Sequence, residues 1–257
     1  MLTIFLAELR FHSGCGVLQG KTCQVLSFLN GLHGSRMVGR VLIVLSVSLM
    51  QHWEDQLAKW CPGMRVRLFH GSGKKKRELE LRETQRKGGV CLTTYGLVTT
   101  SVDLLNDFSH TAKAEEWDWV ILDEGHKVRN HNTKVAKEMR RLKVARRLIL
   151  TGTPIQNNLR EMWSLFDFVS AGTLLGPLES FIEHYEAPIL AGGDKDACSN
   201  EVRWGHAAQA SLRKRVEPFF LRRTKDDLKK IDGGGAEGDE EGRDGVQSLP
   251  TKRGEIF

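Results

Sequence analysis

Short apolar runs alternate with longer amphipathic stretches over the first 170 residues of the chain. The apolar runs are nearly continuous and rich in Val, Ile and Leu, which is typical of parallel strands buried on both faces. The predicted strands are Val41–Ser46, Val66–Phe69, Val90–Thr94, Trp119–Leu122 and Arg147–Leu150. The stretches around them predict helices at Thr22–Leu32, Leu49–Trp60, Lys75–Arg86, Thr133–Arg141 and Leu159–Val169.

This alternation predicts an α/β fold with a doubly wound parallel sheet. Ligands of such sheets bind at the C-terminal ends of the strands, so the loops there are the candidate functional segments. The longest nearly uninterrupted apolar run is Val41–Met50, far shorter than the roughly 20 residues of a membrane-spanning helix. The sequence therefore predicts no membrane partner.

The pattern changes after about residue 170. Residues 171–231 are polar and predict a helical extension, and residues 232–247 are acidic and Gly-rich, which is typical of a linker. The tail 248–257 regains basic and apolar residues. The 257 residues carry 38 Lys and Arg against 32 Asp and Glu, a net charge of +6 that permits a nucleic-acid partner without demonstrating one.

The tripeptide Gly20-Lys21-Thr22 stands at the start of the first predicted helix. Helix N-terminal amides attract phosphate, Lys can bind the β- and γ-phosphates, and Thr can hold Mg²⁺. A lone tripeptide also recurs by chance, and the preceding residues fit the phosphate-loop pattern imperfectly. Taken alone, the motif leaves both interpretations open.

Two further motifs follow predicted strands. Asp123-Glu124-Gly125-His126 comes after an apolar strand, where paired carboxylates are costly unless a cation or a proton transfer uses them. Thr151-Gly152-Thr153-Pro154 ends the next strand. The non-functional alternative for the first motif is a solvated pair of acidic residues, and that for the second is an ordinary turn. The order of the three motifs favours half of a RecA-like motor.

With these motifs in this order, the chain resembles the Swi/Snf-type ATPases, DNA translocases of helicase superfamily two. The resemblance rests on GKT (20–22), LDEGHKVRN (122–130), LTGTPIQNNLREMWSLFDF (150–168) and FFLRRTKDDLKK (219–230). It runs from about residue 16 to 230 and includes SLPTKRGEIF (248–257), similar to the stretch that enters the second motor lobe. DEGH with KVRN, APILAGG (187–193) and GMRVRLFHG (63–71) are similar to the Cockayne syndrome group B-like and ERCC-six-like subgroup.

The resemblance implies that residues 16–170 form a RecA-like lobe that uses ATP and Mg²⁺. The implied phosphate-loop and metal residues are Gly16, Gln19, Gly20, Lys21 and Thr22, with Asp123 as a second Mg²⁺ ligand and Glu124 as catalytic base. The residues implied to couple hydrolysis to DNA are His126, Thr151, Gly152 and Thr153.

The resemblance also implies a partner, double-stranded DNA, with nucleosomes as a further candidate and the nucleus as the location. The residues implied to lie along the DNA are Ser46, Thr93, Thr94, Gln156, Asn157 and Asn158, and those at the hinge between the lobes are Arg222 and Arg223. The implied function is DNA-dependent ATP hydrolysis in chromatin remodelling or DNA repair.

Several positions depart from the family pattern. Leu18 stands where the family loop has Gly, and Leu resists the positive φ that such a loop can need. Ser46 replaces the usual Pro, and the second lobe with its arginine fingers is absent. We therefore expect a fragment whose residues 1–15 are a non-native or disordered start and whose residues 248–257 begin the second lobe.

These departures keep two alternatives open. A catalytically impaired module that only binds nucleotide or DNA, or serves as a scaffold, would explain the altered loop. An RNA helicase would share GKT and the Asp-Glu motif, but it should carry a different third motif in place of TGTP (151–154).

Overall fold

A computed structural model of the chain describes residues 5–7, 19–111, 115–152 and 158–222. Its strands are β1 (Phe5–Ala7), β2 (Arg40–Leu45), β3 (Val66–Leu68), β4 (Gly89–Thr94), β5 (Trp117–Leu122), β6 (Val144–Thr151) and β7 (Phe220–Arg222). Within the described ranges these strands form one parallel sheet in the order β3-β4-β2-β5-β6-β1-β7.

The helices are α1 (Gln19–Gly34), α2 (Met50–Trp60), α3 (Lys74–Lys87), α4 (Tyr95–Leu105), α5 (Lys134–Arg140), α6 (Leu159–Ser170), α7 (Leu178–Phe181), α8 (Ala187–Gly192) and α9 (Ser199–Val216). Short 3-10 turns span Val47–Leu49, Gly125–Val128 and Glu217–Phe219, and a π-helical turn spans Ile182–Glu186. No helix among the described residues is both long enough and apolar enough to cross a membrane.

The core lies on both faces of the sheet, and β2 shows why its sequence is continuously apolar. Leu42 and Val44 enter a cluster with side chains of α4, α5 and α6. Val41, Ile43 and Leu45 enter the opposite cluster with side chains of α1 and α2. Because successive side chains of a strand point to opposite faces, only an apolar residue at every position satisfies both clusters. The predicted doubly wound α/β fold is confirmed.

Three described elements differ from the sequence prediction. Helix α4 had no predicted counterpart because its Thr, Val and Gly residues favour helix weakly, whereas the Thr94 hydroxyl caps it by accepting a hydrogen bond from Leu97 N. Strand β7 lies in a stretch expected to be helical. Strand β1 lies in the start expected to be disordered or non-native. Strands β1 and β7 form because β1 pairs with both β6 and β7, which are distant from it in sequence.

The described part of the extension is mainly helical. Helices α7 to α9 and the π-helical turn pack on α6 through a third cluster that includes Trp163, Phe166, Phe181 and Leu212. Beyond residue 222, the predicted linker and the start of a second lobe lie outside the described residues.

Candidate nucleotide site

The candidate site lies at the edge of the sheet where the parallel strands end. Strands β2, β4, β5 and β6 run in the same direction, so the loops that follow them meet at one edge. Ser46, Asp123 and Gly152 each stand in such a loop, and α1 begins beside them. The sheet therefore brings together segments that are more than 100 residues apart in the chain.

Lys21 joins the first of these segments to the last. Its ammonium Nζ donates a hydrogen bond of 3.0 Å to the main-chain oxygen of Thr151, at the end of β6. A Cβ placed on the neighbouring Gly152 would lie only 3.2 Å from that ammonium, so a residue without a side chain leaves the space around the cation open. Thr22 is buried, with 2% of its surface exposed. Gln19 and Gly20 form the first turn of α1.

Asp123 is a buried carboxylate with several hydrogen bonds. Its Oδ2 accepts from the indole nitrogen of Trp53 at 2.7 Å, and its Oδ1 accepts from the main-chain nitrogen of Glu124 at 2.9 Å. Burial raises the pKa of this carboxyl above its ordinary value, the charge of Glu124 raises it further, and the bond from Trp53 and the charge of Lys21 oppose the rise. The positive charge at Lys21 thus acts on Asp123 across the site.

Glu124 occupies a left-handed backbone conformation, with φ 55° and ψ 47°. Such a conformation costs a non-glycine residue about 1–3 kcal/mol and is concentrated at functional sites. It turns the chain sharply after Asp123 and leaves the Glu124 side chain about one third exposed. Its Oε2 lies 3.1 Å from His126 Nδ1, without the geometry of a hydrogen bond.

Tyr95 and Lys127 form a second group beside Asp123. The Tyr95 hydroxyl donates to the main-chain oxygen of Asp123 at 2.6 Å, and burial raises the pKa of this phenol well above its ordinary value, so it remains a donor. Lys127 Nζ lies 4.9 Å from the centre of the Tyr95 ring and donates to the Ser46 hydroxyl at 2.7 Å. Ser46 is thus part of the same polar group as Asp123.

The residues expected along DNA differ in their exposure. Thr93 is fully buried and its hydroxyl donates to the Phe69 carbonyl, so its side chain reaches no solvent and its role along DNA stays a prediction. Thr94 is 8% exposed and its hydroxyl caps α4. Asn158 is exposed and caps α6 by accepting from the main-chain nitrogens of Arg160 and Glu161. Position in a strand-end motif therefore does not by itself ensure access.

Some predicted residues cannot be placed in the site. Gly16, Thr153, Gln156, Asn157 and Arg223 lie outside the described residues. Arg222 is the last residue of β7, at the edge of the sheet order.

The contacts that Trp53, Tyr95 and Lys127 make around Asp123 were not predicted from the sequence. Trp53 occupies a buried position of an amphipathic helix, so its pattern indicates only core packing. No sequence signal shows that its indole nitrogen reaches Asp123. Tyr95 and Lys127 do stand directly beside predicted site residues, and that adjacency was the available signal.

The described residues fit a magnesium-bound nucleotide. The Lys21 ammonium and the N-terminus of the 16-residue helix α1 favour phosphate. The Thr22 hydroxyl and the Asp123 carboxylate are oxygen ligands of the kind that Mg²⁺ prefers. Gly152 keeps the space beside Lys21 free of a side chain. Glu124 adds a partly exposed carboxylate that can accept a proton.

Comparison with known proteins places this arrangement in a family. The family model for the SNF2-related domain matches residues 16–232. The chain is 43% identical over 234 residues to the DNA excision repair protein ERCC-6-like of Danio rerio, covering 91% of this chain and 16% of that protein. It is 40% identical over 219 residues to Protein CHROMATIN REMODELING 24 of Arabidopsis thaliana, covering 83% of this chain and 20% of that protein.

A solved structure shares the fold. The Sulfolobus solfataricus SWI2/SNF2 ATPase core in complex with dsDNA superposes with a TM-score of 0.64 at 28% identity, covering 90% of this chain and 42% of that one. The chain spans a fifth or less of the length of these curated relatives and less than half of this solved core.

Proposed function

We propose, since this chain belongs to the SNF2-related family, that it forms the ATP-binding lobe of an ATPase and translocase that depends on double-stranded DNA. The observation that carries the proposal is the contact between Lys21 Nζ and the Thr151 carbonyl, beside Asp123 and Glu124. This contact joins GKT (20–22) to TGTP (151–154), and the charge of Lys21 also acts on Asp123 of the third motif. A chance GKT tripeptide would have no reason to meet the other two motifs.

In this proposal each described residue has one role in nucleotide binding, hydrolysis or coupling to DNA. The first turn of α1 and Lys21 bind the phosphates, and Thr22 and Asp123 hold Mg²⁺, which when bound neutralises phosphate charge. Glu124 orients the attacking water and accepts its proton, because its carboxylate is partly exposed beside the buried Asp123. His126, 3.1 Å from Glu124, and Thr151, bonded to Lys21, couple this chemistry to DNA.

Duplex DNA would bind on the side of the lobe where Ser46 and Asn158 stand. Lys127 is exposed and bonded to Ser46, so it supplies a cation suited to a backbone phosphate. A solved SNF2 core holds dsDNA, which supports this partner over RNA. Gly16, Thr153, Gln156, Asn157, Arg222 and Arg223 keep the roles that the resemblance gives them. Nucleosomes are a further proposed partner, in keeping with a relative named for chromatin remodelling.

Repair or chromatin remodelling in the nucleus is the proposed setting, because relatives are named for both processes. Hydrolysis is proposed to need a second RecA-like lobe, since the chain covers 42% of a solved SNF2 core.

Nucleotide binding by the purified chain tests the proposal. A large excess of Mg²⁺-ATP should raise the unfolding temperature, since a ligand at 100 times its dissociation constant adds about 2.7 kcal/mol to the free energy of unfolding. Lys21→Ala should abolish the rise. Lys59→Ala removes an exposed lysine of α2 that packs over Trp60, and it should leave the rise intact. A wild-type chain that ATP does not stabilise would contradict the proposal.

A further inference from the structure

Asp123 is held from both faces of the sheet by buried aromatic side chains. Trp53, fully buried in the cluster under α1 and α2, donates its indole N–H to the carboxylate at 2.7 Å. Tyr95, 6% exposed in the cluster under α4 to α6, donates its hydroxyl to the main-chain oxygen at 2.6 Å. The carboxylate and the backbone of one residue are therefore fixed by two different helices.

Burial makes these two bonds hard to replace. When a buried donor is removed, its partner loses a hydrogen bond that water cannot easily supply, and the geometry of the site relaxes.

The two donors come from the segments proposed to face DNA. Trp53 lies in the first turns of α2, just after Ser46, and Tyr95 begins α4 directly after Thr94. Lys127 connects them on the outside, since it bonds to Ser46 and lies over the Tyr95 ring. A displacement of either segment would move a donor that touches Asp123.

We infer that Trp53 and Tyr95 are positioning residues for the Mg²⁺ ligand Asp123. Through these two side chains, the segments at the start of α2 and α4 determine how Asp123 is oriented toward the metal. This inference rests on the proposed function, because it takes Asp123 as a ligand of nucleotide-bound Mg²⁺. Removal of a group that orients a metal ligand typically lowers the metal affinity about 10- to 100-fold.

The chain provides a matched control for Trp53. Trp119 is also buried in the same cluster, with 2% of its surface exposed, but its indole nitrogen has no hydrogen-bond partner. Trp53→Phe and Trp119→Phe thus remove the same atoms from the same hydrophobic cluster. Only Trp53→Phe removes a hydrogen bond to Asp123.

The test measures binding rather than turnover. ADP is titrated calorimetrically into the wild-type chain and both variants, first in a chelator and then over a series of Mg²⁺ concentrations. We expect Trp53→Phe to raise the Mg²⁺ concentration for half-maximal enhancement of ADP binding by about tenfold or more. ADP affinity in the chelator should stay unchanged, and Trp119→Phe should match the wild type in both conditions.

A folded Trp53→Phe chain with wild-type Mg²⁺ dependence overturns the inference. An equal loss in Trp119→Phe also overturns it, because the cause would then be core packing. Tyr95→Phe removes one hydroxyl, should raise the Mg²⁺ requirement in the same direction, and decides the question if Trp53→Phe does not fold. A wild-type chain that binds no ADP overturns the proposed function and this inference with it, whereas a wild-type chain that binds ADP with Mg²⁺ isolates the inference.

Discussion

Gly125 of the DEGH motif lies against Ile149 of β6. A Cβ at this position would lie 2.2 Å from Ile149 Cγ2, far inside van der Waals contact. The turn that follows Glu124 therefore lies flat on β6, with no space for a side chain. The glycine of the DEGH motif (123–126) is required by this close approach, and the motif's two carboxylates depend on it for their position.

Gly125→Ala should destabilise the chain by about 1–3 kcal/mol, because the added methyl overpacks the contact with Ile149. The urea midpoint of unfolding measures this change. Gly31→Ala is the matched control, since a Cβ on this residue of α1 meets nothing within 4 Å and alanine favours helix over glycine by about 0.5–1 kcal/mol. A Gly125→Ala midpoint equal to the wild type would show that the turn has room to shift.

At the scale of elements, α6 fixes the segment that follows the site. The Ser164 hydroxyl donates to the carbonyl of Val128, which ends the 3-10 turn after Glu124. Arg140 of α5 donates to Ser164 and forms an ion pair with Asp167 Oδ2 at 2.7 Å. These contacts bind α5, α6 and the turn into one unit. Movement of α6 would therefore reach Glu124 through a short chain of hydrogen bonds.

Asp167→Asn should lower the free energy of unfolding by about 1.5–3 kcal/mol, because it weakens charged hydrogen bonds that are largely buried. The exposed pair Arg141–Asp103 is the control: its N–O distance is 2.6 Å, but Asp103 is 84% exposed. We expect no measurable change for Asp103→Asn, since water and salt screen such a pair. Equal losses in urea unfolding would contradict the role given to burial.

At the scale of the whole molecule, one sheet and a helical extension carry all of the described site residues. The net charge of +6 sums a net basic lobe with the net acidic stretch at 232–247, so the total charge says little about the surface proposed to face DNA. The chain covers 42% of a solved SNF2 core, and we propose that the groups that complete hydrolysis come from a second lobe.

The purified chain should therefore hydrolyse ATP at a rate near background, with or without duplex DNA. Phosphate release, measured with and without DNA, checks this expectation. A DNA-stimulated rate that Lys21→Ala abolishes would contradict it and would show that one lobe suffices. Adding the DNA duplex at low and high salt provides the control for charge-driven association.

The sequence by itself determined the elements whose cause is local. The apolar run of β2 has to be buried on both faces, and GKT (20–22), DEGH (123–126) and TGTP (151–154) stand beside elements that the hydrophobic pattern predicts. The order of these motifs along the chain was sufficient to expect them at one edge of a parallel sheet, and the described parts of all three stand there.

Tertiary structure alone decided what depends on contacts between distant residues. Strand β1 exists because it pairs with β6 and β7, and the Thr93 side chain is buried with its hydroxyl bonded to the Phe69 carbonyl. Tertiary structure also decided the hydrogen bond of Trp53. Periodicity correctly assigns this residue to the core, but only the structure shows that its indole N–H reaches Asp123. Hydrophobic patterning encodes which face of an element is buried, because burial depends on a single residue's affinity for water. It does not encode which polar atom a buried side chain meets, because that depends on the packing of two helices and a strand against one another.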